Sequence, residues 1–327
     1  MRLDRRLTRL RGLVPEMLGE HAASLTVADG RRTSTGMAVF VLVDADGSTR
    51  LVAKVPTTAE AAAGLDRETE VLTSLRADPR LGDWRDLLPR PVAQGDAGGR
   101  PYRADAALLG APPGERLAPD ERRCLVAAAA DTIAVLHQRT ATTMCGDAAL
   151  ADRWVDARLR DLWPGAANGV GLPSRAAHLR DELRATLIGG TFHVSWVHGD
   201  LWPGNLLVDQ GAERIHGIVD WDSAATPELP VHDLLHLALY ARPAPVGREL
   251  GVFVAGHLRG EPWHDDQRGL LERGGGLTGA GSISERHALL LYWLRRAAEH
   301  ARQQGARRGL RYRVWERRNV DPVMAEL

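Results

Sequence analysis

Apolar positions change their period twice along the chain. A short apolar run over Leu25 to Ala28 is followed by a longer one, Met37 to Val43, rich in β-branched residues. It stops at Asp44-Ala45-Asp46-Gly47-Ser48, a turn-forming stretch, and the strand pattern resumes from Arg50 to Val55. Three strands in an antiparallel meander are predicted. From Thr58 to Arg76 the period becomes helical: Leu65, Leu72 and Leu75 share a face, and Glu68 falls on it too. Glu70 lies about 200° around from Glu68 and is expected in solvent. Pro89 and Pro91 close this unit. A further hairpin is expected over Val92 to Leu109, turning at Asp96-Ala97-Gly98-Gly99, and Gly110-Ala111-Pro112-Pro113-Gly114 reads as a linker.

Beyond the linker the helical period dominates, with helices expected over Asp120 to Arg139, Ala151 to Leu162 and Ser174 to Leu187. Phe192 to Val197 is strand-like. Asn205 to Val208 and Ile215 to Val219 form a hairpin around Gln210-Gly211. From Val231 onward helices prevail. The glycine-rich Gly274 to Gly281 stretch reads as a flexible loop, and Ser282 with Glu285 as a capping box for a last helix to about Gln303. The linker divides the chain into 1–109 and 110–327, as two domains or as one large two-lobed domain. No internal repeat is visible.

Composition narrows the class. The chain has 327 residues, enough for two domains, and 44% hydrophobic residues, enough for a core. Lys plus Arg and Asp plus Glu are each 42, so there is no electrostatic footprint of a nucleic-acid binder. Lys occurs once, at Lys54, and every other basic residue is Arg. A compact ammonium and a wide guanidinium fork are not interchangeable in a tight pocket, so a lone lysine is a candidate for a site where Arg cannot substitute, with chance as the other reading. Cys124 and Cys145 are too few for a disulfide framework or a zinc site and are expected as small buried apolar residues. Arg-rich Met1 to Gly12 leads into no apolar signal region, and runs such as Leu289 to Leu294 are too short to cross a bilayer. A cytoplasmic protein with no membrane or nucleic-acid partner, a monomer or homodimer, is the expectation.

The densest chemistry lies in His198-Gly199-Asp200-Leu201-Trp202-Pro203-Gly204-Asn205, followed by Ile218-Val219-Asp220-Trp221-Asp222. Asp200 follows a strand, Asn205 begins the next, and Asp220 ends its partner, so the topology predicts all three at one end of a small sheet. Two carboxylates and an amide oxygen are hard ligands, the kind that hold Mg²⁺ together with substrate phosphates. Each Asp alone is equally a turn or cap residue. Three oxygen side chains around one hairpin are not explained that way.

At these residues the sequence resembles the aminoglycoside phosphotransferase and choline kinase superfamily, whose pattern is H-G-D-x-x-x-x-N and then an Asp after apolar residues. The resemblance implies a bilobal, protein-kinase-like α+β fold: a small antiparallel-sheet lobe with one helix, and a larger, mostly helical lobe. It implies Asp200 as the catalytic residue, orienting or accepting the proton of the attacking hydroxyl, and Asn205 and Asp220 as Mg²⁺ ligands. It further implies a Lys on the third strand and a Glu on the next helix, positions held by Lys54 and Glu68, with the ammonium neutralising ATP phosphates. Ser34, Thr35 and Gly36 stand where the family has its phosphate-covering loop, though one glycine fits ordinary hairpin chemistry equally. Adenine is expected near Ala107 to Gly110. His198 is assigned to supporting the loop and Asp233 to capping a helix against it, while Asp222 is either a second acceptor or a polar turn residue.

The implied activity is ATP- and Mg²⁺-dependent transfer to a small-molecule hydroxyl of a sugar, amino sugar or aminoglycoside-like compound. Glu261, Asp265 and Asp266 offer an acidic cluster for a polycation, but Arg295 to Arg318 contains nine Arg and two Glu. A catalytically silent kinase-fold ligand binder is the alternative. Such proteins lack members of the Lys54, Asp200, Asn205, Asp220 set. A protein kinase would need a longer segment between Asp220 and the helix near Asp233.

Overall fold

The alternation of the early strands produces a sheet with two different faces. In the computed structural model, β1 (Thr26–Arg32), β2 (Met37–Val43), β3 (Thr49–Pro56), β4 (Arg90–Asp96) and β5 (Pro101–Ala106) form an antiparallel sheet in the order β1-β2-β3-β5-β4. All residues are described except 1–4, 34, 115–116, 166–170, 242–248, 274–282 and 305–308. Ala38, Phe40 and Leu42 of β2 point to one face, with Leu51, Ala53 and Val55 of β3 and Ala104 of β5. That face is covered by α1 (Arg5–Leu18) through Leu10, Val14 and Leu18. Residues one position out of phase, Lys54, Arg103 and Asp105, face the other side, where α2 (Ala59–Ala77) packs. Thr58 caps α2, its hydroxyl accepting the Ala61 N–H at 3.1 Å.

The chain divides into two units. The first comprises Met1–Pro112 with Leu206–Gln210 and Ile215–Ser223, and the second Pro113–Asn205, Gly211–Arg214 and Ala224–Leu327. The sequence reading broke the chain at 109/110 and kept everything after it together. The hairpin instead goes with the first unit, where the Ala111 N–H donates to the Val208 carbonyl at 3.0 Å and the Val208 N–H to Ala111 at 2.9 Å. Gly110 lies against it with φ +84°, and a methyl group there would stand 2.8 Å from the Val208 carbonyl oxygen.

The second unit is helical around a small sheet. Its elements are α3 (Pro119–Thr140), β6 (Thr142–Cys145), α4 (Ala148–Ala151), a π-helical turn (Asp152–Asp156), α5 (Ala157–Leu162), α6 (Ser174–Leu187) and β7 (Thr191–Val197). β8 (Leu206–Val208) and β9 (Ile215–Ile218), the hairpin of the first unit, come next in the chain. Then follow β10 (Ala225–Glu228), α7 (Val231–Tyr240), α8 (Leu250–Leu258), α9 (Asp265–Arg273), α10 (Glu285–Gln304), α11 (Leu310–Asn319) and α12 (Asp321–Ala325). The three-stranded sheet has the order β10-β7-β6. α7 and α10 are buried over most of their length, and these two helices position the site below.

One expectation changes, and another lies beyond what the structure describes. Cys124 and Cys145 are exposed, not buried: one shares the outer face of α3 with Arg123, and the other ends edge strand β6. The capping residue Ser282 and the glycine-rich stretch at 274–281 lie outside the described residues.

Candidate active site

In the first unit the lone lysine is committed to one partner. Lys54 Nζ lies 2.7 Å from both carboxylate oxygens of Glu68, which is 2% exposed, and Glu70 is out in solvent. A second cation shares the carboxylate: Arg103 approaches Glu68 Oε2 at 3.1 Å while also pairing with Asp105 at 2.9 Å. The Trp221 N–H donates to Glu68 Oε1 at 3.3 Å. Burial alone would raise the Glu68 pKa, but Lys54 and Arg103 overcome it and hold the group at about 2. Burial pulls Lys54 the other way, and Glu68, then Asp220, reverse that, so its pKa is raised. Asp105 is pushed up by burial, against the opposing effect of Arg103.

Asp220 is exposed, at φ +70°, a left-handed conformation that Asp tolerates better than most residues. Asp222 accepts from the Ser223 hydroxyl at 3.2 Å, and its Oδ2 lies 3.4 Å from where a methyl at Gly64 would stand. It therefore packs against α2. Thr33, Thr35 and Gly36 are each held by hydrogen bonds. The Gly36 N–H, at φ +93°, donates to the Thr33 carbonyl, and the Gly36 carbonyl accepts from the Thr57 N–H and hydroxyl at 2.9 and 2.6 Å. The Thr58 hydroxyl donates to the Thr35 carbonyl at 3.3 Å. Ser34 lies outside the described residues.

In the second unit β7 delivers the chain to a loop held from three sides. Asp233, fully buried on α7, accepts the His198 N–H at 2.8 Å and the Gly199 N–H at 2.7 Å, with His137 Nε2 at 3.0 Å. It does not cap its helix; its carboxylate is spent on the loop. Burial would raise its pKa, but His137, His198 and the loop N–H groups hold it at about 2. The His198 ring accepts the Asp200 N–H at 3.2 Å, the supporting role expected for it. The Gly199 carbonyl accepts from two consecutive arginines of α10, Arg295 at 3.1 Å and Arg296 at 2.8 Å.

Arg296 also reaches the Asp200 carboxylate, at 2.5 Å from Oδ1, and His236 Nε2 lies 3.2 Å from the same oxygen. Burial opposes ionisation of Asp200, yet Arg296 and His236 outweigh it and keep the carboxyl far below the usual range. The Asn205 Nδ2 donates to the Asp200 carbonyl at 2.9 Å and lies 3.4 Å from its Oδ2. The Asn205 amide thereby turns its Oδ1 away from Asp200, an orientation suited to a metal ligand.

The structure thus brings Lys54, Glu68 and Asp220 together in one unit and Asp200 and Asn205 together in the other. Sequence reasoning passed over Arg103, Asp105, His137, His236, Arg295 and Arg296. A signal existed for two of them: Arg103 and Asp105 alternate along a strand with the buried Ala104, so they face the side opposite the apolar core. Among the described residues no three His, Cys, Asp or Glu side chains converge as a metal cage, and no helix is long and apolar enough to cross a membrane.

A family model described as "Phosphotransferase enzyme family" matches residues 35–272. No curated protein matches the sequence. Among solved structures, an aminoglycoside-3'-phosphotransferase of type VIII has a TM-score of 0.54 at 22% identity, over 89% of this chain and 97% of that one. A putative aminoglycoside phosphotransferase from Ralstonia eutropha gives 0.59 at 16% identity, over 98% and 96%. Aminoglycoside phosphotransferase APH(3'')-Id from Streptomyces rimosus gives 0.54 at 18%, over 89% and 98%, and is also known in complex with ADP and streptomycin. At these identities the likeness establishes the shared kinase-like α+β fold.

Proposed function

Because the chain belongs to the phosphotransferase enzyme family, we propose that it transfers the γ-phosphoryl group of ATP to a hydroxyl of a small molecule, a sugar, amino sugar or aminoglycoside-like compound. The bond from the γ-phosphorus to the bridging oxygen breaks and a bond to the acceptor oxygen forms. The acceptor proton passes to Asp200 and on to water, and ADP leaves. The ADP complex of the Streptomyces rimosus protein supports the choice of nucleotide.

The observation that carries the reading is the Lys54–Glu68 pair. An ammonium has three donors. Glu68 takes up two directions at 2.7 Å, which fixes Nζ in place and leaves one N–H for phosphate. Arg103, itself paired with Asp105, holds Glu68 in turn. The Gly36 N–H is taken up by the Thr33 carbonyl, so phosphate binding falls first to Lys54, with the Thr35 and Gly36 segment a covering element. We assign Mg²⁺ binding to Asn205 through Oδ1 and to Asp220 through its carboxylate, both hard oxygen donors. Two protein ligands suffice because Mg²⁺ retains water and phosphate oxygens. When bound, the ion supplies charge neutralisation on the phosphates.

Asp200 is held ionised by Arg296 and His236 and fixed by the loop bonds, so it accepts a hydrogen bond from the acceptor hydroxyl and orients it, receiving the proton only as the bond to phosphorus forms and the hydroxyl becomes acidic. With every member of the set present, an active enzyme is favoured over a silent relative. ATP binding measured calorimetrically with and without Mg²⁺ tests the reading. Tight binding is expected only with Mg²⁺, together with ADP release when an acceptor panel of sugars, amino sugars and aminoglycosides is added. Absence of ATP binding under both conditions would refute it.

A further inference from the structure

The surroundings of Asp200 carry information about the acceptor that the family likeness does not. His236 and Tyr240 are four residues apart on α7 and share one face. His236 lies 3.2 Å from Asp200, and the Tyr240 ring centroid lies 5.4 Å from that of Trp202. One helix face therefore backs both the carboxylate and the indole. Trp202 is fixed over Gly204, where a methyl group would stand 2.3 Å from the indole ring, yet it remains 37% exposed. An indole with one face packed and an exposed remainder, beside a catalytic carboxylate, is a platform for the C–H face of a ring.

Charge points the same way. Asp200 and Glu299 are both paired with Arg296, Glu299 at 3.1 Å, and Arg295 stands beside it on α10. Asp233 is spent on loop N–H groups and His137. Glu228 is paired with Arg158, with Arg295 at 3.9 Å and His232 at 3.4 Å. In the acidic cluster of the sequence Glu261 pairs with Arg259, while Asp265 and Asp266 line a cavity of about 210 Å³ with Arg123 and Arg273, which pair with Asp120 and Asp131. A polycation needs surplus carboxylates to replace its hydration. Around Asp200 these carboxylates are already committed, Asp200, Glu299 and Glu228 to guanidinium groups and Asp233 to loop N–H groups and His137.

Resting on the phosphotransferase reading, we propose that Arg296 and the Trp202–Tyr240 wall select the acceptor, and that it is an uncharged polyhydroxylated ring, not a polycation. Arg296 holds the place an acceptor ammonium would need beside the reacting hydroxyl, and Trp202 receives the ring's apolar face.

The test is kcat/KM by ADP release for matched pairs differing only in hydroxyl against amine, such as glucose with glucosamine and galactose with galactosamine, alongside glucuronate and kanamycin. The neutral member is expected to be preferred roughly tenfold or more. Arg296→Gln should narrow that ratio, Arg296→Lys should keep it, and Trp202→Ala should raise the acceptor KM while leaving the ATP KM in place. A merely structural Arg296 would lower both members of a pair equally. Equal or better use of glucosamine, kanamycin or glucuronate overturns the inference and leaves the phosphotransferase reading standing. Failure to bind ATP with Mg²⁺ removes both.

Discussion

Replacing Glu68 by Gln keeps the shape of the side chain and removes the charge that two buried cations share. Lys54 approaches both oxygens at 2.7 Å and Arg103 approaches Oε2 at 3.1 Å, with Glu68 2% exposed. The cost follows by two routes. Breaking one side of a buried pair costs about 3–5 kcal/mol, because the remaining charge is stranded. Independently, a carboxyl held at about 2 in the fold, against an ordinary value near 4.5, contributes about 3 kcal/mol at neutral pH. The routes agree, and the second fixes the sign. A lowered pKa gives stability that is full above about pH 4.5 and is lost as pH falls through about 2. Urea unfolding of wild type and Glu68→Gln should therefore differ by about 3 kcal/mol at pH 7, by roughly half of that at pH 3, and by little near pH 2. The melting midpoint at pH 7 should drop by about 6–12 °C. A difference under about 1 kcal/mol at pH 7, or one unchanged down to pH 3, would refute the buried three-way pairing.

Two further substitutions probe the same architecture. Lys54→Arg should fold with a melting midpoint within a few degrees of wild type and lose roughly 10- to 100-fold in transfer rate, because a second guanidinium beside Arg103 displaces the point charge from the phosphates; retention of full kcat would contradict the assignment. Asp233→Asn should cost about 2–4 kcal/mol in urea unfolding and depress kcat more than the ATP KM, since one amide cannot accept from the His198 N–H, the Gly199 N–H and His137 together.

Much of this was legible in the chain because the sheet and helix periods are local. The β4–β5 hairpin, α2 with Glu68 on its inner face, and α6 fall where the apolar pattern puts them. The α1 helix was missed although Leu7, Leu10, Val14 and Leu18 recur at helical spacing; Pro15 interrupts the pattern and the Arg-rich composition masks it. The edge strands β6 and β10 are four residues each and take their pairing from β7, so no local period announces them. Lys54 could be singled out because composition isolates it. Arg295 and Arg296 could not: in a chain where 41 of 42 basic residues are Arg, two more carry no signal until α10 places them 96 and 97 residues beyond the Gly199 carbonyl they bind. His236 likewise acquires meaning only from the approach of α7 to Asp200.

The central claim, that Asp200 serves phosphoryl transfer and not nucleotide binding, is tested most directly by comparing Asp200→Ala with wild type. Mg²⁺–ATP affinity and ADP release should be measured on the same preparations with an accepted hydroxyl compound. The account predicts unchanged ATP affinity and a transfer rate lowered by roughly 10²–10⁴. Transfer at the wild-type rate by the folded variant would contradict it.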